Sequence, residues 1–119
     1  MGFGQAISSA FANYFNFNSR ATRPEYWYFV LFLTIVGIVT AVVDIGVLGA
    51  RDIGPLNAVF TLATFIPSLA VTVRRLHDIG RTGWWILLAF IPVVGIIVLI
   101  VWACQRGEAG PNPYGNPAA

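Results

Sequence analysis

Lysine is absent from this 119-residue chain, all seven of its basic residues being arginine, and cysteine, histidine and methionine occur once each. Charged residues make up only 10%, where a soluble domain carries about a quarter. A lone cysteine, Cys104, closes no internal disulfide. At the end of an apolar run it reads as a buried thiol rather than a reactive one, which would want a cationic or helix N-terminal setting. One histidine and five scattered carboxylates do not build a metal site, and the sequence gives no reason to expect a cofactor. The formal charge of +2 comes from arginines spread along the chain, which suits membrane topology better than a nucleic-acid surface. Residues 1–18 lack the basic start and unbroken apolar core of a cleavable signal peptide. The opening Met-Gly fails the myristoylation pattern because Ala6 stands where Ser or Thr is needed.

What is abundant is apolar surface: 57% hydrophobic residues and a mean hydropathy of +0.74. It is concentrated in long runs, the pattern that lipid selects, and the length suits one domain. Residues 26–43 form an uncharged run of 18, and extending past Asp44 to Gly49 gives 24. At ~1.5 Å per residue this is long enough for a hydrocarbon core of about 30 Å. Tyr26, Trp27 and Tyr28 stand where an aromatic belt is expected. The run 56–73 is also uncharged and contains Pro67, which should kink it, a defect that neighbouring helices can cover. The run 84–104 holds 21 uncharged residues, with Pro92 and Gly95 near its middle.

Ahead of these runs, Phe3, Ile7, Ala10, Phe11, Tyr14 and Phe15 recur at helical spacing, opposite Gln5, Ser8, Ser9, Asn13 and Asn16. This predicts an amphipathic helix over 3–16 lying in the membrane interface. The Gly-, Pro- and Asn-rich segment 105–119 reads as an extended, solvent-exposed tail. The expected fold is an all-α integral membrane protein. It has an interfacial helix followed by three transmembrane helices at 26–49, 56–73 and 84–104, the second and third kinked at proline. Five arginines (Arg20, Arg23, Arg74, Arg75, Arg81) then lie on one side and two (Arg51, Arg106) on the other. The positive-inside rule places the N-terminus in the cytoplasm and, with three spans, the C-terminus outside. Were one run a re-entrant hairpin, the C-terminus would change sides.

The densest polar stretch is Arg74-Arg75-Leu76-His77-Asp78-Ile79-Gly80-Arg81, between two apolar runs. On a helix continuing from the second run, Arg74 and Arg75 stand four and three residues from Asp78, within ion-pair reach. Three readings apply. An Arg–Asp network holds a tight turn at the lipid boundary; or the arginines meet anionic headgroups or an acidic partner; or His77 and Asp78 act as an acid–base pair. The last is weakest, because adjacent helical residues point about 100° apart and no Ser, Cys or second His is near to complete a nucleophilic set. Two spans separate 20–25 from 74–81, so both belong at one membrane face. Glu25 is the acid placed to reach Arg74 or Arg75 while Asp78 holds the other. Arg20, Arg23, Glu25, Arg74, Arg75, His77, Asp78 and Arg81 thus form a candidate polar cluster. Asp44 is the one acid that either enters the membrane, where acids are costly and functional, or reaches the far interface.

Three blocks in this order, Arg20-Ala-Thr-Arg-Pro-Glu-Tyr-Trp27, Arg74-Arg-Leu-His-Asp-Ile-Gly-Arg-Thr-Gly-Trp-Trp85 and Asn112-Pro-Tyr-Gly-Asn-Pro117, resemble the bacterial inner-membrane family called "domain of unknown function 805". The resemblance covers nearly the whole chain, and the Arg-Arg-Leu-His-Asp block is its most specific part. The chain departs from the family pattern at Ser19, Thr82 and Asn116, where Gly, Ser and Pro are usual. The resemblance implies a small multi-span inner-membrane protein and supplies no activity, substrate or cofactor. The expected role is a structural or interaction subunit, not an enzyme, with an Arg-rich face for lipid headgroups, a membrane-protein partner or further copies of itself. The rival is an oligomeric small-solute transporter or channel in which Pro67, Pro92 and Asp44 line a path.

Overall fold

The computed structural model describes residues 2–49 and 54–115; Arg51, Asp52 and the tail beyond Gly115 lie outside the described residues. The regular elements are α1 (Phe3–Ala12), α2 (Arg23–Gly46), α3 (Pro55–Asp78), a 3₁₀ helix (Gly83–Phe90) and α4 (Val94–Cys104). α2 and α3 are the two described helices long and apolar enough to cross a membrane.

α1 stops at Ala12 instead of continuing to Asn16 as its periodicity suggested. Asn13 ends it: its backbone N–H and its side-chain Nδ2 both donate to the Ser9 carbonyl, at 3.0 and 2.8 Å. This local competition is why Asn favours helix ends over interiors. α1 lies across α2, with Ala6 and Ala10 buried and Phe11 edge-on to Phe29 and Phe32 at 5.6 and 6.0 Å.

α2 begins three residues before the apolar run because Thr22 caps it, accepting from the Glu25 N–H at 3.3 Å, with Pro24 in the first turn. The fixed φ of proline and its missing donor fit that turn. α3 likewise starts at Pro55 but runs on through 74–78, so the polar block is helical. Along both helices the hydroxyls of Thr34, Thr64, Ser68 and Thr72 donate to carbonyls one turn back, which satisfies them without water.

Two helix defects are closed from elsewhere in the chain. Pro67 has no N–H, so the Ala63 carbonyl four residues earlier loses its helical partner. The Tyr14 hydroxyl donates to that carbonyl at 2.7 Å. The first turn of α3 has no side-chain cap of its own. Asp44, buried near the end of α2, accepts instead from the Leu56 and Asn57 N–H groups at 3.1 and 2.9 Å. Asn57 then donates to the Gly37 carbonyl and to the Thr40 hydroxyl at 3.1 and 3.0 Å.

The third run is not one helix, which corrects the expectation of a span over 84–104. It breaks at residues 91–93. The Val94 N–H bonds the Pro92 carbonyl at 2.7 Å, and Val93 takes φ 63° and ψ −67°, the rare γ-turn that a β-branched residue adopts only under strain. The 3₁₀ arm and α4 then fold back on one another. A Cβ at Gly95 would overlap the Leu88 carbonyl oxygen, and Trp85 meets Trp102 edge-on at 5.5 Å. Gly83 abuts Val73 and the Ala103 carbonyl meets Arg75, so this hairpin leaves and re-enters the bundle at the same end.

Candidate functional site

That end gathers nearly all the polar side chains singled out in the sequence. Glu25, buried in the first turn of α2, accepts from Arg74 Nη1 at 2.5 Å and from the Ser9 hydroxyl of α1 at 2.5 Å. The Ala21 N–H donates to the Arg74 carbonyl at 3.0 Å, pinning the segment before α2 to α3. Arg74 is buried, and its Nε and Nη2 have no hydrogen-bond partner. A buried N–H without a partner is expensive, so Arg74 is the least well satisfied member of the cluster.

Its neighbour Arg75 points the other way round α3 and uses four of its five donors. Its Nη1 donates to Asp78 at 2.5 Å and to the Ala21 carbonyl at 3.2 Å; Nε donates to the Ala103 carbonyl at 3.1 Å; Nη2 donates to the Gln105 carbonyl. One guanidinium thereby ties the start of α2, the end of α3 and the end of α4. Arg20 uses all five of its donors. They reach Asp78 Oδ1 at 2.9 Å and the carbonyls of Asp78, Glu108, Gly110 and Gly115 at 3.2, 2.6, 2.9 and 3.3 Å.

The tail through Gly115 therefore packs on the cluster through hydrogen bonds while most of its described residues stay exposed, as expected; residues 116–119 lie outside the described residues. The Glu108 N–H donates to the Asp78 carbonyl at 2.8 Å, and the Gly107 backbone presses on the Asp78 carboxylate so closely that a Cβ would overlap it. Asn112 and Gly115 exchange backbone hydrogen bonds of 3.0 Å, forming a turn that lays the Tyr114 ring flat on His77, 3.9 Å between centroids and 4° apart. His77 Nδ1 faces the Ser19 carbonyl at 3.0 Å, and Asn112 Nδ2 donates to the His77 carbonyl at 2.9 Å. His77 and Asp78 thus serve separate contacts.

Three arginines at this end stand outside the ion pairs. Arg81 lies over the Trp102 ring, 4.0 Å from its centroid. Arg23 is exposed and makes one long contact, 3.4 Å, to the Cys104 carbonyl. Arg106 is exposed in the tail. Cys104 is exposed as well, contrary to the expected buried thiol, because it faces outward beside Arg23 at the last turn of α4. Asp44 belongs to the other end and is joined to none of this.

The Tyr14 clamp, the cap from Asp44 and the docked tail are absent from the sequence reading. The missing N–H of Pro67 is a signal that would have led to the Ala63 carbonyl, and Gly54 before Pro55 one that would have marked a helix start without its own cap. Neither named the partner. Contacts of Arg20 to tail carbonyls carry no side-chain signal at all.

The chain is 45% identical over 108 residues, 91% of this chain and 90% of the relative, to "Inner membrane protein YhaI" of Escherichia coli (strain K12). It is 41% identical over 105 residues, 87% of each, to "Inner membrane protein YhaH" of the same strain. "Uncharacterized protein YiiR" is 34% identical over 78% of this chain and 60% of its own length. No solved structure matches. Residues 14–116 match the family described as "Protein of unknown function (DUF805)", a range containing every arginine and acid of the cluster. With its two long apolar helices and inner-membrane relatives, the chain belongs to the DUF805 family of bacterial inner-membrane proteins.

Proposed function

We propose that this protein is a small interaction subunit of the inner membrane. It spans the bilayer twice and turns a basic, recognition-competent end to the cytoplasm. The observation that carries the reading is charge segregation. Arg20, Arg23, Arg74, Arg75, Arg81 and Arg106 collect at one end with Glu25, Asp78 and Glu108, six positive against three negative charges, a balance of +3. The crowding of six arginines, rather than the net balance, marks a cytoplasmic end. The ion pairs consume Arg20, Arg74 and Arg75 as packing devices. Arg23, Arg81 and Arg106 are left for headgroups or an acidic surface.

The re-entrant topology supports the same reading. α4 has 11 residues, about 16 Å at ~1.5 Å each, and the eight-residue 3₁₀ arm is about 16 Å at ~2 Å each. Each arm reaches roughly half of a 30 Å core, so the tail returns to the side it left. The channel reading loses one element, since the Asp44 carboxylate is already engaged by two backbone amides. Proteoliposome flux measured beside cross-linking in native membranes tests the proposal. The expected result is no solute flux together with a cross-linked partner or enriched anionic lipid at the basic end. Flux of a small solute that depends on Asp44 would overturn it.

A further inference from the structure

Beside Arg23 the surface opens into a cavity of about 460 Å³ lined by Arg23, Pro24, Trp27, Tyr28 and Cys104. We infer that it binds the phosphate of one anionic glycerophospholipid, whose acyl chains descend between α2 and α4. This rests on the reading of the basic end as a membrane-surface face.

Three features lead there. First, Arg23 is the cation at the cavity rim, and among the described residues it has no acid within ion-pair distance. With one long bond to a carbonyl, most of its guanidinium donors are open to an oxyanion, and the planar fork suits phosphate. The surrounding balance of +3 favours a headgroup with net negative charge. Second, the walls have the chemistry of headgroup depth. Trp27 and Tyr28 present apolar bodies with polar tips, and Trp27 Nε1 is already bonded to the Ala103 carbonyl at 3.3 Å. The ring is thereby fixed as a wall.

Third, the cavity continues into lipid-length apolar tracks. From Trp27, steps of four along α2 lead to Leu31 and Ile35, both exposed. From Cys104, steps of three and four back along α4 lead to Val101, Ile100 and Ile97, also exposed. Residues so spaced share a helix face. A headgroup in the cavity therefore has two aliphatic stripes directly beneath it. α4 ends about halfway through the bilayer, so α2 goes on alone and leaves room for the chains.

Native mass spectrometry of the detergent-purified full chain, titrated with phosphatidylglycerol or phosphatidylcholine, tests the site. The wild-type protein should retain one phosphatidylglycerol in preference to phosphatidylcholine. Arg23→Gln should weaken that binding roughly tenfold, the scale of one charge-assisted contact, and Arg23→Lys should recover part of it. Maleimide labelling of Cys104 should slow in phosphatidylglycerol vesicles for the wild type and not for Arg23→Gln. If Arg81→Gln and Arg106→Gln weaken binding as much as Arg23→Gln, the effect is the diffuse charge of the face. The discrete site then falls while the proposed function stands. If phosphatidylglycerol is not preferred at all, the lipid site and the lipid-facing side of the proposed function fall together, and only a cross-linked protein partner would sustain the latter.

Discussion

Arg74 and Arg75 are chain neighbours with opposite energetics. Arg75 makes bonds across three elements, so Arg75→Met removes one of the two arginines on Asp78 and leaves the Ala21, Ala103 and Gln105 carbonyls without that donor. Loss of one partner of a buried pair costs about 3–5 kcal/mol, an upper bound here because Arg20 still holds Asp78, and thermal unfolding in detergent should show a clear loss. Arg74 has one partner and two unpaired nitrogens. Glu25→Gln should destabilise by removing its counter-charge, whereas the double variant Glu25→Leu with Arg74→Met should recover much of the loss, because apolar pairs often replace buried ion pairs at little cost. A double-mutant cycle checks this; additive losses would refute it. The Glu25–Arg74 contact was legible in the sequence because both residues border apolar runs that two crossings return to one face. The partners of Arg20 were not, because backbone carbonyls look alike in every sequence.

The elements divide in the same way. Hydropathy located α2 and α3, since a span needs only length and the absence of charge. It misread 84–104, because counting apolar residues does not reveal the direction of the chain. Pro92 within that run is as compatible with a kink as with a reversal. What settles the reversal is the close approach of the two arms at Gly95. Gly95→Val should therefore disrupt the hairpin, at about 1–3 kcal/mol for forced overpacking, read as a lower thermal unfolding midpoint in detergent. On α3, Asp44→Ala removes a cap supplied by another helix. The expected cost is about 1 kcal/mol, in line with N-cap substitutions. Tyr14→Phe uncovers the Ala63 carbonyl beside Pro67, again at about 1 kcal/mol, the usual net value of one hydrogen bond.

For the whole molecule, the folded-back hairpin changes the arginine count at the crowded end from five to six, since Arg106 joins it. Single cysteines at positions 18, 80 and 110 in a Cys104→Ser background should all label from the cytoplasmic side of the membrane. Labelling of position 110 from the periplasm would restore three crossings and refute the hairpin topology. The radius of gyration is 15.5 Å, with extents of 51 × 32 × 21 Å. The long axis exceeds the roughly 36 Å length of either 24-residue helix at ~1.5 Å per residue.

The fan of bonds from Arg20 also sets an order of events during synthesis. Its carbonyl partners at Glu108, Gly110 and Gly115 lie 88 to 95 residues further along the chain. At about 5–20 residues per second, the ribosome needs on the order of 5–20 s to make that stretch. Throughout that interval a nascent chain holds a guanidinium with most of its donors open at the membrane surface. Only the arrival of the tail closes it. A chain stalled before residue 108 carries both long helices and still lacks the tail bonds that close Arg20.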